Sequence, residues 1–177
     1  ATDWNIWYTY TLTSIDNKAF MNNTTLTSIT LAETIEHIGA YAFYGCTSLS
    51  EIEFPASVES IGAYAFWGCS GIDEVYIPET VEQISYSAFG ESVETFYCQA
   101  QSMPSSWDSG WNSFYANNIL WNFISYYEQD GLKFILHTDL SAQLIEYNEE
   151  LENIILPSEI TYNSNTYRLK SIDNNFF

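Results

Sequence analysis

Residues 47–69 read TSLSEIEFPASVESIGAYAFWGC, and the residues on either side repeat that pattern with a period of 23. Leu49, Ile52 and Phe54 alternate with polar neighbours toward the end of the stretch, the pattern of a strand with one buried face. Pro55 then ends the ladder because it has no N–H to donate, and Pro78 and Pro157 hold the equivalent place. Val58-Glu-Ser-Ile61 is a second, shorter extended stretch, after which the chain turns at Gly62. Gly39 holds the same column one coil earlier, and Asp16 and Asp173 hold it elsewhere. A column shared by Gly and Asp suggests a backbone position with positive φ. Ala65 to Cys69 is too short for a standard helix, so a helical turn or 3₁₀ segment is expected there, with Phe66 plugging the core.

Outward from this copy the columns persist. Leu26, Leu49 and Ile72 fall in register, as do Ile29, Ile52 and Val75, and Ile35, Val58 and Val81. Ile15, Ile38, Ile61 and Ile84 lead to Ala19, Ala42, Ala65 and Ala88, and these to Phe20, Phe43, Phe66 and Phe89. A period of about 20 to 29 residues with a Leu-x-x-Leu-x-Leu core reads as leucine-rich repeats, coils that bury an apolar face only against their neighbours. The expected fold is a mostly β leucine-rich-repeat solenoid of parallel short strands stacked about 4.8 Å apart, with tight turns and short 3₁₀ or helical segments, interrupted by a β-hairpin capping module.

The motif Pro-x-x-Val-x-x-Ile-Gly-x-x-Ala-Phe-x-Gly-Cys, followed by Leu-x-x-Ile-x-Phe/Ile-Pro, resembles the BspA-like leucine-rich repeat, the 23-residue type found in many bacterial surface proteins and some protozoan ones. The resemblance covers Leu12 to Cys98, with Ala32 in place of the proline and Asn23 in place of the cysteine in the first full copy. It implies a secreted or surface-attached protein, since BspA-like proteins are implicated in adhesion to host matrix proteins, host cells or other microbes.

The organisation expected along the chain is a repeat array over residues 1–98, a Trp-rich end cap or linker over 99–127, and over 128–177 a β-hairpin opening segment with the incomplete start of a second array. Pro104 to Asn112 resembles a segment that often closes arrays in this family, and is expected to hide the last apolar coil under aromatic rings. Gln129-Asp-Gly131 reads as a hairpin turn between strands at Ile119 to Tyr127 and Leu132 to Leu136, with a further strand at Ala142 to Tyr147. Leu151 to Ile160 restores the inner-strand pattern, Thr161 to Tyr167 reads as an inserted hairpin, and Tyr167 to Phe177 mirrors Tyr10 to Phe20. The expectation is a segment of a longer protein with tandem arrays, cut within a coil at Phe177 and open to end-to-end self-association there.

Four Lys plus Arg stand against 23 Asp plus Glu, a formal net charge of −19. Nucleic acid and anionic membrane surfaces would repel such a chain. No apolar run approaches the roughly 18 residues that span a bilayer, so no membrane insertion is expected within this segment. Cys46 and Cys69 share a column and point the same way, a poor arrangement for a disulfide, and Cys98 has no implied partner. All three are read as buried thiols, and no metal site or cofactor is expected.

The inner strands project their polar residues onto one face, expected to be concave. Glu51, Glu53, Asp73, Glu74, Tyr76, Glu94 and Tyr97 are the candidate ligand-binding residues there. Like charges about 5 Å apart in such a ladder repel by about 0.8 kcal/mol in water, which is tolerable without any ligand. Trp107, Trp111 and Trp121 form a secondary aromatic candidate, whereas Tyr41, Tyr44, Tyr64 and Trp67, on or near the turn face, are read as packing between coils, although rings at such spacing could also grip a partner or a sugar ring. Catalysis is not expected: His37 and His137 lie in different modules, no nucleophile or phosphate motif occurs, and the carboxylates sit on an open sheet. The expected function is therefore non-catalytic extracellular recognition, with a protein ligand such as a host surface or matrix protein held on the concave face. The competing readings are a structural spacer in a multi-array surface protein and carbohydrate binding by the Trp-rich segment.

Overall fold

A computed structural model describes residues 10–112, 118–147 and 155–172. The chain divides into two compact units, Ala1–Phe96 with Pro104–Asn118, and Tyr97–Met103 with Ile119–Phe177. In the first unit the second extended stretch of each coil forms a two-residue strand: β1 (Ser14–Ile15), β2 (His37–Ile38) and β3 (Ser60–Ile61). On the inner side lies β4 (Glu74–Ile77), and the next coil adds β5 (Gln83–Ile84). The four short strands stack in parallel as β1-β2-β3-β5, with Ser14, His37, Ser60 and Gln83 in one row and Ile15, Ile38, Ile61 and Ile84 in the other. The isoleucine row is buried because its face looks into the coil, which is why the repeat demands an apolar residue there.

Among the described residues no helix forms at the turn that follows, contrary to the helical or 3₁₀ segment expected at Ala65 to Cys69. The backbone hydrogen bonds explain this. Tyr41, Phe43 and Gly45 donate to Ala63, Ala65 and Trp67 of the next coil, at 2.8 to 2.9 Å, while Ala42, Tyr44 and Cys46 close single turns onto Gly39, Tyr41 and Phe43. With every second amide committed to a neighbouring coil, consecutive i→i−4 bonds cannot propagate. The positive φ also falls elsewhere than expected. It belongs to Lys18 (62°), Tyr41 (59°), Tyr64 (57°) and Ser87 (49°), and to Asn22, Gly45 and Gly68. Gly39 and Gly62 are needed for close approach: a Cβ on them would stand 2.6 Å from Asn17 N and 2.5 Å from Ala40 N.

The 23-residue register runs beyond the Cys98 at which the sequence reading ends it. Asp108 N donates to Ile84 O at 2.8 Å, as Gly62 N does to Ile38 O, and Phe89 N donates to Trp111 O as Phe66 N does to Ala88 O. Trp107 therefore occupies the column of Ile84, and Trp111 that of Ala88. Beneath the turns the phenylalanine column stacks nearly parallel: Phe20 on Phe43 at 5.0 Å, Phe43 on Phe66 at 5.1 Å and Phe66 on Phe89 at 5.5 Å. The ladder ends where Trp111 crosses Phe89 at 86° and Phe96 at 70°. Each fully buried ring of this kind contributes roughly 1.5–3 kcal/mol of burial free energy.

Two strands carry the division between the units, β6 (Thr95–Cys98) and β7 (Asn118–Trp121). The second unit then contains β8 (Phe123–Gln129), β9 (Leu132–His137), β10 (Ser141–Tyr147), β11 (Glu159–Tyr162) and β12 (Asn165–Ile172), in a sheet of order β11-β12-β10-β9-β8. Asp130-Gly131 joins β8 to β9 with φ of 53° and 77°, and Asn163-Ser164 joins β11 to β12 with 47° and 65°. Both are two-residue hairpin turns with positive φ throughout, the type whose twist matches paired strands. Leu132, Phe134 and Leu136 alternate onto one face with Ala142, Leu144, Ile160 and Tyr167, and Ile135 faces the other way toward Tyr97 and Phe123. Asp139 accepts bonds from Lys170 Nζ at 2.7 Å and Ser141 Oγ at 2.5 Å, which together hold its carboxyl far below the usual range. Ser171 and Ile172, which match Ser14 and Ile15 in sequence, likewise pair with a parallel strand, here β10. The array restart at Leu151 to Ile154 and the copied end at Asp173 to Phe177 lie outside the described residues.

Candidate recognition surface

The inner face is built by alternation. On β4, Val75 and Ile77 are buried while Glu74 and Tyr76 point outward, Tyr76 at 44% exposure. One coil earlier Glu51 and Glu53 flank the buried Ile52 and are exposed, as are Asp73 and Glu94. The inner stretches are tied together by backbone bonds from Ser50 N to Thr27 O at 3.2 Å and from Glu94 N to Asp73 O at 2.7 Å. Glu33, Glu51 and Glu53 border a shallow depression of about 260 Å³ floored by Leu31, Phe54 and Pro55. Such a floor suits the aliphatic stem of a basic side chain whose head meets the carboxylates.

Tyr97 does not belong to this surface. It is 5% exposed, packs on Phe123 and Tyr126 with ring centroids at 4.8 and 5.6 Å, and accepts a hydrogen bond from the Tyr126 hydroxyl at 2.8 Å. The alternation that the sequence reading extends to β6 fails because Phe96, Tyr97 and Cys98 are all buried. An unbroken apolar run of three is the signal of a strand covered on both faces.

The tryptophans divide as well. Trp107 and Trp111 are 3% and 1% exposed, contact each other at 5.1 Å, and Trp107 Nε1 donates to Val81 O at 3.1 Å. With their faces covered they cannot serve as a shelf for sugar rings. Trp121 lies on β7, half-buried and in the other unit. A further ladder, not expected from the sequence, lies on the outer side: Glu36, Glu59 and Glu82 share a column and line a shallow groove with Ser57 and Thr80. Three glutamates at a spacing of 23 were the available signal.

Of the 23 carboxylates, 14 lie in the first unit beside a single lysine, Lys18. The ion pairs Lys133–Glu146, Arg168–Glu159 and Lys170–Asp139, at 3.5, 3.4 and 2.7 Å, all belong to the second unit. The field at the first unit's surface is therefore strongly negative and attracts cationic partners.

Chemistry beyond binding has little to work with. His37 Nδ1 lies 2.9 Å from Ser60 Oγ and His37 Nε2 lies 4.0 Å from Glu36, an order of groups found in nucleophilic sites. Yet His37 is exposed and Glu36 and Ser60 are only partly covered, and the amides of Glu59, Ser60 and Gly62 are spent on the preceding coil, so they offer no oxyanion donor. The cysteine thiols are hydrogen-bond donors, Cys46 to Phe20 O and Cys69 to Phe43 O, each at 3.1 Å. Burial pushes the Cys69 and Cys98 thiols up to about 12, Cys46 adding to the shift of Cys69, which leaves both protonated and unreactive at neutral pH. Among the described residues no three His, Cys, Asp or Glu side chains converge to hold a metal ion.

The chain is similar to a leucine-rich repeat protein of Bacteroides ovatus, 25% identical, over 64% of this chain and 26% of that one, with a TM-score of 0.47. A leucine rich cell surface protein of Faecalibacterium prausnitzii is 23% identical over 82% of this chain and 52% of its own, with a TM-score of 0.38. A T. pallidum leucine rich repeat protein is 23% identical over 49% and 52%, with a TM-score of 0.40. The chain thus spans about a quarter of the first solved structure and about half of the other two. No curated protein matches. The BspA type leucine rich repeat region matches residues 4–119 in six copies, and the chain belongs to that family.

Proposed function

We propose that the first unit is a non-catalytic, extracellular recognition module that takes a protein ligand on its inner face. Glu51, Glu53, Asp73, Glu74, Tyr76 and Glu94 would make the contacts, and the ligand would be a host surface or matrix protein presenting a basic patch. The observation that carries this reading is that all six side chains point outward from adjacent coils of a unit with 14 carboxylates and one lysine. Such a surface steers cationic partners and speeds their association.

The test is binding of the 177-residue chain to a panel of immobilised matrix and cell-surface proteins by surface plasmon resonance. Binding to at least one member is expected, weakened about tenfold or more in the combined Glu51→Lys, Glu53→Lys, Glu74→Lys variant and by raised salt. Binding unchanged in that variant would defeat the proposal, and no binding to any member would favour a spacer instead.

A further inference from the structure

A second surface of the first unit stands apart from the acidic inner face. At the turn edge three adjacent columns carry five aromatic rings: Tyr86 in the column of Asn17, Ala40 and Ala63; Tyr41 and Tyr64 in that of Lys18 and Ser87; Tyr44 and Trp67 in that of Met21 and Gly90. None of these columns holds a carboxylate in any of the four coils. The rings touch in sequence. Tyr44 tilts against Tyr41 at 5.6 Å, Tyr41 stacks on Tyr64 at 5.1 Å and 16°, and Tyr64 meets both Trp67 at 5.8 Å and Tyr86 at 5.9 Å, each at 72°.

Two observations show that coil packing does not require this strip. The buried phenylalanine column beneath it already seals the coils, whereas the strip is half-exposed and Tyr86 is 46% exposed. Tyr41 and Tyr64 also sit at φ of 59° and 57°, where Gly or Asn would be at less cost than a bulky side chain. The same column accepts Lys18 and Ser87, so the backbone does not call for tyrosine.

Three properties of the strip define its ligand. It lies in the strongly negative field of the first unit, which repels anions. Among the described residues the hydroxyls of Tyr41, Tyr44, Tyr64 and Tyr86 have no hydrogen-bond partner within the protein, so a purely apolar partner would strand them. The rings are in mutual contact with centroids 5.1 to 5.9 Å apart, which leaves no room between them for the proline ring that a polyproline segment inserts. We propose that this edge binds a neutral polysaccharide, whose rings offer apolar C–H faces to Trp67 and Tyr86 and hydroxyls to the tyrosine edge. A linear glycan running along the solenoid axis would meet a new coil about every 4.8 Å.

The experiment is affinity electrophoresis of the 177-residue chain through native gels containing β-glucan, mannan, xylan or polygalacturonate. Retardation by at least one neutral polymer is expected, with none by polygalacturonate. Trp67→Ala and Tyr86→Ala, each verified as folded by circular dichroism, are expected to weaken it about tenfold, and the ring-preserving Tyr86→Phe less so. The proposal is overturned if no neutral polymer retards the chain, if the folded alanine variants are retarded as strongly as the parent, or if a proline-rich peptide binds the strip while the glycans do not.

Discussion

At the scale of single residues, the repeat reuses one hydrogen bond until a copy breaks it. Thr34 Oγ1 donates to Leu12 O and Ser57 Oγ to Ile35 O, both at 2.6 Å, but the next hydroxyl of that column, Thr80 Oγ1, is buried without a partner. Ser57→Ala should therefore cost about 1 kcal/mol, while Thr80→Val should be neutral or stabilising, since it removes an unsatisfied hydroxyl at nearly constant volume. Urea unfolding midpoints compare the two directly, and equal losses would show that the column contributes nothing through its hydroxyls. The glycines teach a related lesson. Gly62 is visible in the sequence as special, but whether it serves φ or space depends on how near the next coil comes, which only the Ala40 backbone 2.5 Å from its would-be Cβ reveals.

At the scale of elements, the β-columns were legible because burial of one face enforces a period. Ile15, Ile38, Ile61 and Ile84 form the strand row that the register implies, and the Asp130-Gly131 hairpin follows from turn chemistry alone. The turn edge was misread as helical because the commitment of alternate amides to the next coil is a tertiary fact with no local signature. The fifth coil was hidden for a different reason: Trp107 and Trp111 replace Ile and Ala in their columns, so volume changes while position does not. For the candidate surface, alternation located Glu51 through Glu94 but misled at Tyr97, where a second layer covers the strand. If Trp111 terminates the phenylalanine ladder as its contacts with Phe89 and Phe96 indicate, Trp111→Ala should lower stability by roughly 3–5 kcal/mol. Trp111→Phe should recover part of that loss, as read by thermal unfolding.

At the scale of the whole molecule, each unit carries a buried thiol pushed up to about 12, Cys69 in the first and Cys98 in the second. The unfolded chain loses these protons from about pH 9 upward, whereas the folded chain keeps them until about 12. Folding stability should therefore be full below pH 9 and decline between 9 and 12. The slope of stability against pH in that window, from urea titrations, should flatten in Cys98→Ala, and an unchanged slope would mean that the thiol is solvated. The hydrogen-bonding scheme of the turn edge bears on heredity as well as on stability. Residues 41, 43 and 45 donate forward to 63, 65 and 67, while Glu59, Ser60 and Gly62 donate backward to Glu36 and Ile38, so each coil is both plug and socket. Unequal recombination that removes or duplicates one complete copy leaves every plug facing a socket, whereas a shift within the turn edge breaks the bonds that coil makes to its neighbours. The segments between turn edge and inner strand escape that constraint, since Glu94 N meets Asp73 O across 21 residues where Ser50 N meets Thr27 O across 23, so small changes of length are expected to collect there.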